Sequence, residues 1–328
     1  MITIKDDKKT KKKLKEEDKK LTYEILKGLN IGDASSNEED IEKEEALVNR
    51  KKILFLRKEF VYLFLVLFVI FGGYSGARIL LWSNDARSTE KQIEEINNEV
   101  NVEEVSDTEE TIIVNPPKEE EVKRENPYWD YIKMNLINVD FSKLKSINSD
   151  TVGWIKVNGT NINYPFVQTN DNTYYLKKDF NKKYNSAGWV FMDYRNSVKD
   201  FDKNTILYAH GRIDGTMFGS LKNITKSNWY NNSDNHVVKL STEYENTLWQ
   251  VFSIYRIPET NDYLDIDFNN NEEYVKFLEM LQNRSEYKFD VSLNESDKIL
   301  TLSTCYKEND RVVLHAKLIK MEVRNGNN

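Results

Sequence analysis

Residues 298–321 read KILTLSTCYKENDRVVLHAKLIKM, two alternating runs on either side of a short polar turn. Side chains alternate faces along a strand, so Ile299, Thr301, Ser303 and Cys305 share one face while Leu300, Leu302 and Thr304 take the other. The leucines suit a core, which leaves Cys305 on the more polar side. The turn Tyr306–Asp310 permits a hairpin into a second strand, Arg311–Met321. Neighbouring strands lie about 4.8 Å apart, so Arg311 returns close to Cys305. Cys305 is the sole cysteine and cannot form an internal disulfide. A thiol at a strand end beside a permanent cation suits nucleophilic acyl transfer, with the cation stabilising an oxyanion. The competing reading is an inert, buried thiol.

Upstream, Val152–Val157, Ile162–Val167, Gly188–Met192, Thr205–Tyr208, Val237–Leu240 and Thr247–Tyr255 are short, rich in β-branched or aromatic residues, and punctuated by Asn, Asp and Gly. One helix interrupts them: Tyr274, Phe277, Leu278 and Leu281 fall at i, i+3, i+4 and i+7 within Asn271–Asn283. Trp129, Tyr131, Ile132, Leu136 and Ile137 predict a short amphipathic helix at the entrance to the domain. About eight strands with one or two helices imply a mainly antiparallel barrel or sandwich, not a parallel α/β sheet.

A reactive thiol needs a proton partner, and the chain has three histidines. His210 follows the apolar run Thr205–Ala209 and precedes Gly211, so it is offered from a rigid strand end. His315 lies mid-strand, roughly 13 Å from Arg311 by strand rise, and is expected to be packed or at the surface. His236 follows the polar run Asn231–Asn235 and is expected in a solvated turn. His210 is the favoured partner.

The rest of the chain is uneven. Charged residues make up 31% of it, concentrated in the first 59 residues and in Ser83–Asn126. A formal net charge of −7, without a basic run interleaved with aromatics, argues against a nucleic-acid partner. Phe60–Ala77, FVYLFLVLFVIFGGYSGA, carries no charge and as a helix would cover about 27 Å; Ile79–Trp82 extends it to a full membrane span. A buried core helix would show a polar face, and this stretch has none. A signal peptide cleaved after Ser75-Gly76-Ala77 would need an abnormally long charged leader. Arg50, Lys51, Lys52, Arg57 and Lys58 precede the span, which puts the N-terminus in the cytoplasm and the remainder outside. The expected organisation is a cytoplasmic tail (1–59), a single-pass anchor in the cell membrane (60–82), a stalk (83–127) and an extracellular catalytic domain (128–328). Within the tail, Lys5–Lys20 reads as a solvated mixed-charge run. Within the stalk, Pro116-Pro117 and Glu119–Glu121 favour an extended spacer. No cofactor is called for. Asp265, Asp267 and Asn269 open like a calcium loop, but Asn270 and Lys276 stand where Gly and Glu are needed. No zinc motif is present.

From about Tyr128 onward, the motifs VGWIKVNGTNINYPFVQ, DNTYYL, GWVFMDYRN, NTILYAHGRIDGTMFGSL, TLSTC and RVVLHAKLI resemble the class B sortases. These are membrane-anchored cysteine transpeptidases of Gram-positive bacteria. The last three motifs, in this order and spacing, carry most of the specificity. The resemblance implies an eight-stranded sortase-type β-barrel with an N-terminal helix and a helix in the connection before the cysteine strand, preceded by one transmembrane helix. It implies Cys305 as nucleophile, His210 as acid/base and Arg311 as oxyanion and positioning group. Asn172, Leu176, Tyr263, Leu264 and Ser303 would line the groove for a sorting signal. The implied partners are surface proteins bearing a C-terminal sorting signal, cleaved after threonine, and the amine of a peptidoglycan precursor. The Cys-to-Arg loop is shorter than in some relatives. Ordinary thiol and imidazole pKa values leave the neutral pair dominant near pH 7, so slow turnover is expected. Two other readings of the same scaffold are a catalytically silent surface-binding module and a cysteine protease that passes its acyl group to water.

Overall fold

The computed structural model describes residues 17–18, 20–21, 37–117, 127–307 and 310–324. Most of the Lys5–Lys20 run and all of Glu119–Glu121 lie outside them. The chain divides into two compact units, Met1–Arg78 and Ile79–Asn328. In chain order the elements are α1 (Asn37–Glu99), β1 (Val102–Val105), β2 (Thr111–Ile113), α2 (Tyr128–Tyr131), β3 (Leu136–Val139), α3 (Phe141–Ile147), β4 (Thr151–Val157), β5 (Asn163–Val167), β6 (Phe191–Met192), β7 (Asn204–Ala209), α4 (Ser227–Tyr230), β8 (Val237–Thr242), β9 (Glu245–Pro258), α5 (Asn271–Asn283), β10 (Ile299–Lys307) and β11 (Asp310–Val323).

Eight strands close into a barrel in the order β10-β7-β6-β5-β4-β8-β9-β11, with β10 pairing back onto β11. Closure removes the free edges that an open sheet would expose. The core is filled by alternate side chains, including Trp154, Phe166, Trp189 and Trp249, all essentially inaccessible. Gly153 is required where β4 runs between β5 and β8: a Cβ there would lie 2.2 Å from the Phe166 ring and 2.9 Å from the Ser241 carbonyl. Outside the barrel, α5 lays Tyr274, Phe277, Leu278 and Leu281 onto Phe252, Tyr255, Ile299 and Val313, as its spacing predicts.

The barrel is mainly antiparallel, with two parallel pairings, β5–β6 and β7–β10. Several expectations are corrected. The entrance helix is one turn; Leu136 and Ile137 belong to β3, where pairing with β1 overrides the helical spacing. Residues 83–115, read from the sequence as part of the stalk, carry the end of α1 and two strands. Thr89, Gln92, Ile96 and Val100 are buried, β1 pairs with β3, and β2 pairs with the end of β11. Lys320, fully buried, donates to the carbonyls of Ile132 and Met134 at 2.7 Å and to Asp107. His236 is not solvated: its ring packs between Tyr230, Trp229 and Phe289, and burial lowers its pKa, partly offset by a hydrogen bond to the Tyr230 carbonyl.

Membrane passage is a separate matter. Among the described residues no helix qualifies as long and apolar enough to cross a membrane. Phe60–Ala77, within α1, nevertheless has no charged residue, and its Phe68 and Val69 are 76% and 70% exposed.

Candidate active site

The barrel's register brings the three candidate residues together at one end. β10 runs parallel to β7 with Thr304 opposite Ala209, so Cys305 and His210 each lie one step beyond the same rung. On its other side β10 runs antiparallel to β11 with Cys305 opposite Arg311. Three adjacent strands therefore end in His210, Cys305 and Arg311, separated only by the inter-strand spacing of about 5 Å per step.

A cleft of about 250 Å³ opens at this end. His210, Arg311, Asn172, Leu176, Tyr263, Leu264 and Ser303 all line it, joined by Phe191, Tyr208, Thr304 and Glu259. Every candidate groove residue thus borders one cavity with two of the three candidate catalytic side chains.

His210 is held by a backbone carbonyl. Its Nε2 lies 2.8 Å from the Leu176 oxygen, which can only accept, so Nε2 carries a proton and Nδ1 is left for proton transfer. The loop before it approaches closely. Gly188 has φ +62°, and a Cβ there would lie 2.5 Å from the Tyr175 carbonyl and 3.1 Å from His210 Cδ2. Only glycine fits this backbone without displacing the imidazole.

Arg311 is mostly buried, with its side chain 17% exposed, and ion-pairs with the exposed Glu259. Tyr263 and Ser303 hydrogen-bond through their hydroxyls at 2.9 Å, tying the wall of the cleft to the cysteine strand. Asn172 donates to Asp193 at 3.0 Å and accepts from the Tyr194 amide. Burial opposes ionisation of Asp193, but hydrogen bonds and charge from Arg195 outweigh it and hold the carboxyl below its ordinary range. Asp193 also accepts from Tyr208, and Arg195 reaches the Leu264 carbonyl at 3.1 Å. The sequence reading did not single out Asp193, Arg195 or Glu259. An Asp directly after the apolar run Trp189–Met192, two residues before Arg195, is the signal that could have found the first pair.

The other histidines are accounted for. His315 is fully buried and bonded to Tyr255 and Thr301, away from the cleft lining. Among the described residues no three His, Cys, Asp or Glu side chains are grouped to hold a metal ion. Asn269 and Asn270, in the rejected calcium loop, instead bond Glu273 and cap α5.

A sortase-domain family model matches residues 155–319. Sortase B of Staphylococcus aureus is 38% identical over 189 residues, which cover 56% of this chain and 77% of that protein. The chain belongs to the sortase family. Sortase B of Listeria monocytogenes is 34% identical over 184 residues, 54% of this sortase and 72% of the relative. A Bacillus anthracis structure described as similar to sortase B matches with a TM-score of 0.56 at 33% identity, covering 74% of this chain and 98% of its own. The Staphylococcus aureus sortase B–substrate complex matches at 0.52 and 38% identity, over 55% of this chain and 84% of that one. This sortase is a cysteine transpeptidase with class B relatives.

Proposed function

We propose that this sortase cleaves a C-terminal sorting signal after threonine and joins the threonyl carbonyl to an amine of a peptidoglycan precursor. The supporting observation is the backbone register that sets His210, Cys305 and Arg311 side by side near the ends of three adjacent strands, with His210 and Arg311 lining one cleft. The Cys305 thiolate attacks the threonine carbonyl, and Arg311, released from Glu259, balances the charge on the tetrahedral oxygen. The imidazolium of His210 gives its Nδ1 proton to the departing amine, leaving a thioester. The acceptor amine then attacks that thioester, His210 takes up its proton, and the thiolate leaves. Asn172, Leu176, Tyr263, Leu264 and Ser303 bind the signal peptide along the cleft.

The likeness to a sortase B–substrate complex supports a peptide donor of this kind. The uncharged stretch Phe60–Ala77, extended to Trp82, supports a single-pass anchor in the cell membrane, and the basic flank before it supports a cytoplasmic N-terminus. On this reading the tail is 1–59, the stalk 83–127 and the catalytic domain 128–328. The test is mass spectrometry of the external part incubated with candidate sorting pentapeptides, with and without an amine acceptor. An acyl adduct on Cys305, absent in Cys305→Ala and converted to an amide product when amine is added, is the expected result. Release of free acid alone, unchanged by amine, would make the protein a hydrolase.

A further inference from the structure

The polar face of β10 continues inward past the cleft. Two residues before Ser303, the buried Thr301 hydroxyl lies 2.6 Å from Asn204 Oδ1 and 2.9 Å from His315 Nδ1. Each proton on this line can be assigned. Asn204 uses its amide hydrogens on the carbonyls of Tyr263 and Asp265, at 3.2 and 2.9 Å, so its Oδ1 accepts and Thr301 donates. The Thr301 oxygen must then accept from His315, which places the proton on Nδ1. Nε2 is left bare and takes the Tyr255 hydroxyl at 2.9 Å. The Tyr255 oxygen accepts from Arg284, whose guanidinium ion-pairs with Asp262. Burial, with Arg284 nearby, pulls the His315 imidazole down to about 3, so it is neutral at working pH.

The line starts and finishes in one segment. Asp262 stands at one end, and the carbonyls of Tyr263 and Asp265 stand at the other. The residues between Pro258 and Asn271 form neither helix nor strand, yet they supply Tyr263 and Leu264 to the cleft. Such a segment has no sheet ladder to fix its distance from β10. The Tyr263–Ser303 hydrogen bond ties it on the cleft side, and the hydrogen-bond circuit adds a second tie from behind.

We propose that His315 is a positioning residue: a neutral relay, remote from the reacting atoms, that holds the Tyr263–Leu264 wall at the spacing from Cys305 that the donor peptide requires. This rests on reading the cleft as the donor-peptide groove. An apolar residue at 315 would take away the acceptor of the Tyr255 hydroxyl proton and the donor to the Thr301 oxygen in the core, and the wall would be freer to shift.

The first measurement is ¹⁵N spectroscopy of the intact protein, with the His315 ring assigned through its own Cβ. A neutral ring protonated at Nδ1 from pH 5 to 8 is expected; an Nε2–H tautomer, or an imidazolium at pH 6, overturns the relay. The second is kinetics with a cleaved sorting peptide. His315→Leu and Tyr255→Phe should raise KM by about fivefold, the worth of one buried hydrogen bond, with kcat and the rate of Cys305 alkylation by iodoacetamide nearly unchanged. His315→Asn, which keeps a donor near the Nδ1 position, should recover part of the KM. A fall in kcat at constant KM overturns the proposal. Ser303→Ala and Leu264→Ala separate the two failures. If they raise KM while His315→Leu and Tyr255→Phe do not, the relay is wrong; if they also leave KM unchanged, the groove reading is wrong. Should His315→Leu fail to fold, Tyr255→Phe, which deletes a single hydroxyl, carries the kinetic arm.

Discussion

Arg311 can serve a developing oxyanion only if its guanidinium is free to turn toward it, and in the resting cleft Glu259 holds it. The Glu259 side chain is 60% exposed, so solvent and salt screen the pair and it contributes at most about 1 kcal/mol. Glu259→Gln should therefore raise kcat/KM by no more than about fivefold at low salt, an advantage that vanishes near 0.5 M salt. A fall instead would mean that Glu259 aims the arginine. Arg311→Lys keeps the charge but loses the planar fork, and kcat should drop on the order of 10²-fold. At Asp193, one carboxylate serves Asn172, Tyr208 and Arg195 together. Asp193→Asn should raise KM for the peptide and lower stability by roughly 1–3 kcal/mol, read by urea unfolding.

Strands whose pattern is local were legible before the fold was known. The alternation in 298–321 separates Leu300 and Leu302, which enter the barrel core, from Thr301 and Ser303, and the spacing in 271–283 shows which face of α5 is buried. What alternation cannot reveal is the partner of a strand distant in sequence. The parallel pairing of β7 with β10, which brings His210 beside Cys305, joins segments some ninety residues apart and leaves no mark in either. Strands β1 and β2 were missed for another reason: they are short edge strands in charged surroundings, ordered by what they dock against. Likewise Asn270, noted in the sequence only as a mismatch to a calcium loop, proves to be the cap of α5. Asn270→Ala should cost about 1 kcal/mol and leave kcat untouched. Gly188→Ala is the opposite case. Its positive φ and its contact with the Tyr175 carbonyl mean that the loop must move, and His210 lies against it. A kcat loss larger than the change in thermal midpoint accounts for would show that this loop positions the imidazole; equal kcat would show that it only closes the barrel end.

The catalytic unit is larger than the strands that build its cleft. Ile96 and Val100 are buried against it, and Lys320 shares its ammonium between Asp107 and the carbonyls after α2. A chain begun at residue 127 should lose on the order of 3 kcal/mol or more relative to one begun at residue 79, measured as a drop in urea midpoint. Three buried groups then bear on how stability changes between about pH 7 and pH 5. His315 titrates at about 3 and His236 is also lowered by burial, so the unfolded chain, with imidazoles near 6.5, binds protons that the folded one refuses. Each such histidine makes stability fall as pH drops below about 6.5, by at most about 1.4 kcal/mol per pH unit. Glu245 opposes them. Burial raises its carboxyl to about 7, so between about 4.5 and 7 the folded state holds a proton the unfolded state has released, and its contribution grows toward acid. Wild-type stability should therefore decline gently from pH 6.5 to 5, because one rising term offsets part of two falling ones. Glu245→Gln removes the offset, and its stability should fall more steeply over that interval, by up to about 1.4 kcal/mol per unit. His315→Leu should flatten the curve by a similar amount. Urea unfolding of the three proteins at pH 7, 6 and 5 separates these slopes, and identical slopes would mean that neither buried group titrates differently on unfolding.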